Sequence, residues 1–386
     1  MRDTRKAIMT SEKNRRIERY DLVTPMMPCK DEIMSAFERL LMSGSYILGE
    51  EVKLLEEELA EACQVPAAVG VASGSSALYL ALAVAGVGPG MEVITTPYTF
   101  VATIEAIIRL NAKPVLVDIH SQDLNIDPAK IEAAITERTR AILPVHIFGA
   151  PCDMNPIMDI AQKYNLEVIE DMAQAFGTYY DGKPCGSFGR MASLSFYPTK
   201  NLPAMGDGGM IFCHAEEDAE QIRKLRGHDP VKLNGRICAG WNCRLDEVQS
   251  MILRIRHSRF KDEQHDRDQV AAIYEKYIPA EHRLVTPNQG SGVRVTHHQF
   301  WVRSPARGQL QAILDNQGID TGIYYDPPLH HHPLAEYCQV VGSLAEAERA
   351  GAEVLTLPIH PALPLADAEH IGKLVGRFLA EPGGAT

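Results

Sequence analysis

Between Ala67 and Cys213 the sequence alternates short apolar runs with stretches of helical spacing, an order that few folds accept. Seven apolar runs are predicted strands: Ala67–Ala72, Glu92–Thr96, Pro114–Asp118, Ala141–His146, Glu167–Ile169, Ala192–Phe196 and Met210–Cys213. Ser75–Ala85, Phe100–Leu110, Pro128–Thr136 and Asn155–Tyr164 are predicted helices between them. Such alternation builds βαβ units, whose strands lie parallel and are covered on both faces. The prediction is an α/β fold around a mainly parallel seven-stranded sheet. Ligands bind such sheets outside the carboxyl ends of the strands, so the segments just after strands are where chemistry is sought.

A chain of 386 residues has room for a second, smaller domain. From Leu245 to about Asp268, apolar residues at Leu245, Val248, Met251, Ile252 and Ile255 predict one helix bridging to it. The expected division is an N-terminal arm over 1–20, a large domain over 21–260 and a small α+β domain over 261–386. Pro287–Gly292 is predicted to be a loop, and the tail from Glu381 to Gly384 to be disordered.

A net charge of −12 argues against general binding to nucleic acid, which needs a basic surface, but leaves room for a local anion pocket. Eight scattered cysteines with no C-x-x-C pair predict reduced thiols and a cytoplasmic protein. The basic first twenty residues lack the apolar stretch of a signal peptide. No apolar run reaches the ~20 residues that a membrane span needs.

Four segments after predicted strands carry the chemistry. Ser73-Gly74-Ser75-Ser76 opens a helix, where free amides and the helix dipole suit a phosphate, although serines also cap helices without any ligand. Phe100, in Pro97-Tyr98-Thr99-Phe100, offers a face on which a flat ring can stack, or it is simply core. Asp171 ends a buried strand in Glu170-Asp171-Met172-Ala173-Gln174 and can hold a protonated pyridine nitrogen, or cap the next helix. Lys200 lies among Phe196-Tyr197-Pro198 and Leu202-Pro203, beside Gly206-Asp207-Gly208-Gly209. Buried lysines are rare, and desolvation makes their amines nucleophilic. A phosphate cup, a ring stacker, an acid for a ring nitrogen and a lysine for an aldehyde are together what pyridoxal 5'-phosphate requires.

Through these motifs the chain resembles the DegT/DnrJ/EryC1/StrS sugar aminotransferases, of the aspartate-aminotransferase (type I) fold, from about Asp21 to Phe378. Ser43-Gly44-Ser45-Tyr46-Ile47-Leu48-Gly49, Pro144-Val145-His146 and Gly240-Trp241-Asn242-Cys243-Arg244-Leu245 add to the resemblance. It implies that Lys200 bonds the cofactor and shuttles a proton, that Asp171 binds the pyridine nitrogen and that Gln174 sits near the ring's 3-hydroxyl. It implies Phe100 as the stacking ring and Gly74, Ser75 and Ser195 as phosphate ligands. It also implies a homodimer with composite sites, in which Asn242 reaches the partner's phosphate. The implied reaction is transamination of a keto-sugar, nucleotide-linked, with an amino-acid donor, L-glutamate, the cofactor passing through pyridoxamine phosphate.

The substrate loop departs from the family pattern. Ile323-Tyr324-Tyr325-Asp326-Pro327 stands where His-Tyr-Pro is frequent, so Tyr324 and Tyr325 are the candidate substrate contacts. A cyclitol ketone, a sugar dehydratase on the same scaffold, and a non-catalytic regulatory protein that binds the cofactor are the alternatives. Lys200 counts against the dehydratases in which a histidine replaces the lysine. Three consecutive imidazoles, His330-His331-His332, cannot all face one ion without strain, so no metal is expected.

Overall fold

The computed structural model describes residues 16–286 and 292–380; most of the expected N-terminal arm, most of the loop at 287–292 and the tail lie outside the described residues. After a 3-10 turn at Thr24–Cys29 come α1 (Lys30–Ser43), α2 (Glu50–Ala62), β1 (Ala67–Val71) and α3 (Gly74–Val84). Then follow β2 (Glu92–Thr95), α4 (Ala102–Arg109), β3 (Lys113–Leu116), the short α5 (Pro128–Ile131), β4 (Thr139–Ile142), α6 (Met154–Tyr164) and β5 (Glu167–Asp171). A hairpin of β6 (Tyr179–Tyr180) and β7 (Lys183–Pro184) precedes β8 (Met191–Ser195), β9 (Gly209–Cys213) and α7 (Glu216–Leu225). A second hairpin, β10 (Val231–Leu233) with β11 (Arg236–Cys238), leads to α8 (Glu247–Ser258) and α9 (Phe260–Tyr277). The chain ends with β12 (Phe300–Arg303), α10 (Arg307–Asn316), β13 (Gln339–Val340), α11 (Ala345–Glu353), β14 (Val354–Leu357) and α12 (Leu365–Ala380).

The main sheet has the order β1-β9-β8-β5-β4-β2-β3-β13. The seven expected strands are its body. The eighth, β13, was not expected; it is two residues long, too short for a periodicity to show, and pairs parallel to β3. Only β9 runs antiparallel to its neighbours, β1 and β8. No helix lies between β8 and β9, so the chain turns back at the carboxyl end of β8 instead of crossing over. That turn carries Lys200 to the same edge as the ends of β1, β2 and β5.

Every residue of β1 and β9 is buried, as in a sheet covered on both faces. The covering helix α3 is apolar nearly all round, and its Leu80 and Leu82 have no exposed surface. Burying each of those two side chains is worth roughly 1.5–3 kcal/mol. Ser73 begins this helix by accepting the Ser76 amide at 3.1 Å.

A separate core, with Tyr274, Val302, Leu310, Leu355 and Ile371, lies between the two-stranded antiparallel β12–β14 sheet and α9, α10 and α12. The single helix expected from Leu245 to Asp268 is two helices, α8 and α9, meeting at Arg259. Leu245 and Asp246 precede the helix, Asp246 being extended at φ −75°, ψ 145°. At the break Ser258 Oγ donates to the Ile255 carbonyl at 2.8 Å, a back-bond that bends helices, and Phe260 turns onto Phe176, 4.9 Å between centroids. Among the described residues no helix is long and apolar enough to cross a membrane, and all eight cysteines are free.

Candidate active site

The ends of β1 and β8 are brought together by β9, since Gly209 pairs with both Val71 and Ser195. The approach depends on glycine. A Cβ on Gly74 would lie 2.7 Å from Ser195 Cβ, and one on Gly209 would lie 2.4 Å from the Ser73 carbonyl. Ser73 accepts the amides of Ser76 and, through its carbonyl, Ala77. The amides of Gly74 and Ser75, at the first helical positions, have no partner inside the helix. With the exposed Ser75 and the half-buried Ser195, they line a polar edge at a helix N-terminus, a setting that suits a phosphate.

Strand β5 ends in two carboxylates that point to opposite faces. Glu170 is wholly buried and fully used: it meets His146 Nε2 at 3.0 Å and accepts the amides of Gly186, Phe188 and Gly189 at 2.8–2.9 Å. Burial alone would raise its carboxyl, but the His146 hydrogen bond and those amides hold it below the usual value. His146 is thus a bracket between Glu170 and the Cys152 amide, which it accepts at 3.0 Å. Asp171, on the other face, accepts from the Ala173 amide at 3.2 Å and Thr103 Oγ1 at 3.1 Å. Burial raises its carboxyl above the usual range, and the Lys200 charge only partly opposes this.

Lys200 is half-buried and belongs to no ion pair among the described residues. Its turn is pinned by its own amide on the Tyr197 carbonyl at 2.8 Å. The next residue, Asn201, donates to the Thr296 carbonyl at 3.0 Å and meets His298 Nδ1 at 3.1 Å. Burial pushes the Lys200 amine down to about 8, against the pull of Asp171. A buried carboxylate and a depressed amine facing one space are a pair that a cationic ring bearing an aldehyde would satisfy. The glycine cradle beside them fits its phosphate, so the residues present fit pyridoxal phosphate.

Gln174 accepts the Phe148 amide at 2.6 Å and donates to Tyr325 Oη at 2.9 Å. Tyr325 lies parallel to Phe148, 6.3 Å between centroids, with Tyr98 edge-on at 5.7 Å. Tyr324 Oη is 3.3 Å from Tyr20 Oη, and the Arg19 guanidinium covers both rings at 5.4 and 5.0 Å. The loop at Ile323–Pro327 is therefore tied to Gln174 through Tyr325 and to Tyr98, whose hydroxyl donates to the Tyr324 carbonyl. Phe100 is 58% exposed and Asn242 is exposed with its Oδ1 on Arg244 Nε at 3.0 Å. These two are not drawn into the hydrogen-bonded set.

Sequence reasoning missed Thr103, Tyr20 and a pair of arginines. A cleft of about 290 Å³ beside Lys200 is lined by Tyr20, Asn201, Arg256, Arg267 and His360. Arg256 pairs with Glu263 at 2.5 Å. Arg267 has no carboxylate within 4 Å among the described residues; Nη1 donates to the Ile359 carbonyl at 3.2 Å. Burial pushes this guanidinium down to about 10. Thr103 could have been found as the residue one helical turn after Thr99. The arginines sit more than fifty residues from Lys200, with no local signal.

The model of the DegT/DnrJ/EryC1/StrS aminotransferase family matches residues 28–376. The pleiotropic regulatory protein of Geobacillus stearothermophilus is 42% identical over 361 residues, 93% of this chain and 97% of that protein. The UDP-N-acetyl-3-dehydro-alpha-D-glucosamine 3-aminotransferase of Acidithiobacillus ferrooxidans is 38% identical over 371 residues, 95% of this chain and 99% of its own. Among solved structures, S. venezuelae DesV in complex with a ketimine intermediate superposes with a TM-score of 0.88 at 37% identity, covering 95% of this chain and 99% of that one.

Proposed function

We propose that this chain, which belongs to the DegT/DnrJ/EryC1/StrS aminotransferase family, moves an amino group from L-glutamate to a nucleotide-linked keto-sugar. The activity is that of a pyridoxal-phosphate-dependent aminotransferase. The relatives named for UDP- and dTDP-linked sugars support the acceptor. The observation that carries the reading is Lys200, a half-buried amine without a salt bridge among the described residues, facing Asp171 at the edge of a glycine-lined cup.

When bound, pyridoxal phosphate supplies an electron sink for the carbon that loses a proton. The chain supplies the rest. The amides of Gly74 and Ser75 and the hydroxyls of Ser75 and Ser195 hold the phosphate. Asp171, positioned by Thr103, keeps the ring nitrogen protonated. Phe100 stacks on the ring, and Gln174 reaches its 3-hydroxyl while orienting Tyr325. Lys200 Nζ would hold the cofactor through its aldehyde and, as a free amine, would take the proton from the donor's α carbon onto Nζ. Arg267 faces the cleft next to Lys200 with no carboxylate within 4 Å among the described residues, which suits a donor carboxylate. Tyr324 and Tyr325 line the acceptor's side.

A second copy of this chain belongs to the reading. Met34, Phe37, Leu41 and Met42 on α1, with Tyr46, Ile47 and Leu48 after it, form an apolar surface that a soluble monomer seldom shows. A partner covering it would bring Asn242 to the other subunit's phosphate. The division of the chain near residue 260 fits the separate core around α9 and α12.

The regulatory relative favours a second reading, a cofactor-bound protein that does not turn over. Adding L-glutamate to the holoenzyme separates the two: release of one equivalent of 2-oxoglutarate per site is expected. Stable cofactor binding with no oxo-acid from any amino donor would sink the aminotransferase reading.

A further inference from the structure

The three consecutive histidines do not share a direction. His332 turns back, its Nδ1 accepting the Leu334 amide at 3.2 Å to begin the 3-10 turn Pro333–Tyr337. His330 and His331 turn instead toward Glu348 on α11. Their Nε2 atoms lie 3.3 and 3.6 Å from its Oε1, and their rings are 4.1 Å apart at 45°. One donor atom from each of the three residues falls within 4.8 Å of the others. We propose that His330, His331 and Glu348 bind one divalent transition-metal ion of the zinc type, with water completing the coordination.

The spacing also fits a shared ion. His330 Nε2 and Glu348 Oε1 are within hydrogen-bond distance at 3.3 Å, while His331 Nε2 stands off at 3.6 Å. Zinc holds nitrogen and oxygen at about 2.0–2.2 Å in a tetrahedron, which sets neighbouring donor atoms ~3.3–3.5 Å apart. The two separations to Oε1 bracket that range with no ion needed to draw the groups in. Two imidazoles and one carboxylate suit zinc far better than magnesium or calcium, which prefer oxygen shells. Three protein ligands leave one position for water or a further ligand.

His330 is the rigid member. Its side chain is 9% exposed, against 54% for His331 and 56% for Glu348. Its turn is anchored because the Leu329 amide donates to the Pro97 carbonyl at 2.9 Å. His331 and Glu348 are more than half exposed, so an ion can reach the site from solvent. The expectation of no metal weighed the three histidines alone; the third ligand comes from 18 residues further along, on another element. A bound ion would fasten the stretch after Tyr325 to α11, outside the cofactor site.

Holoenzyme stripped with EDTA and titrated with zinc(II) against a chromophoric chelator tests this. One equivalent per chain is expected, with affinity lowered tenfold or more by His331→Asn and, separately, by Glu348→Gln. Both positions are exposed, and circular dichroism of each variant checks that it is folded. Absence of stoichiometric zinc in the parent, or unchanged affinity in both folded variants, overturns the proposal.

Discussion

At the scale of single residues, Lys200 and Asp171 set opposite demands on one space. The Lys200 amine sits near 8, well below an ordinary lysine, so its neutral fraction grows as pH rises through that value. Cofactor uptake by the apoprotein, followed by absorbance, is therefore expected to be half-maximal in rate near pH 8. A midpoint near 10 would mean the amine is not desolvated. Asp171→Asn is expected to keep the cofactor but slow the half-reaction with glutamate by about 10²–10³-fold, the scale of a lost preorganised charge. Stopped-flow measurement of oxo-acid formation reads this, and a near-normal rate would leave Asp171 with a structural role only. Lys200 and Asp171 were legible as candidates because each stands in a short run whose composition conflicts with its setting: charge among apolar neighbours at a strand end; Gln174 came only through the resemblance. Tyr20 and Arg267 were not, because their importance is a fact of packing. Tyr20 meets Tyr324 across 304 positions of sequence.

At the scale of elements, the approach of strand ends is organised by groups that touch no ligand. Glu247, the first residue of α8, is 2% exposed and accepts the amides of Gly49, Glu51 and Val52 at 2.7–3.0 Å. It thereby caps α2 from a distant helix. Glu247→Gln keeps the shape but removes the charge and one acceptor. The expected cost is about 1–3 kcal/mol, read as a lower urea midpoint at unchanged m-value. No change would mean that solvent replaces the cap. The strands were legible as apolar runs between helical stretches, to within a residue or two at most ends, because a strand buried on both faces is apolar nearly throughout. The break at Arg259 was not: the apolar spacing ends at Ile255, no glycine or proline marks the stretch from Arg256 to Asp268, and the cause is one Ser258 back-bond together with the packing of Phe260 on Phe176.

At the scale of the whole molecule, the exposed apolar face of α1 is the surface proposed above to meet a second copy. Leu41→Glu with Met42→Glu is expected to shift the protein from dimer to monomer in light scattering, since both side chains are more than half exposed in the single chain. A monomeric parent protein would refute the composite site. The second feature at this scale is β13. It comes from the C-terminal third of the chain, yet it closes the β3 margin of the main sheet. Without it, β3 would offer unpaired backbone groups to any passing strand, the usual starting point of aggregation. Cutting the chain near residue 260 would therefore not yield a clean large domain. It would yield a sticky one, because two residues of the other part act as its seam.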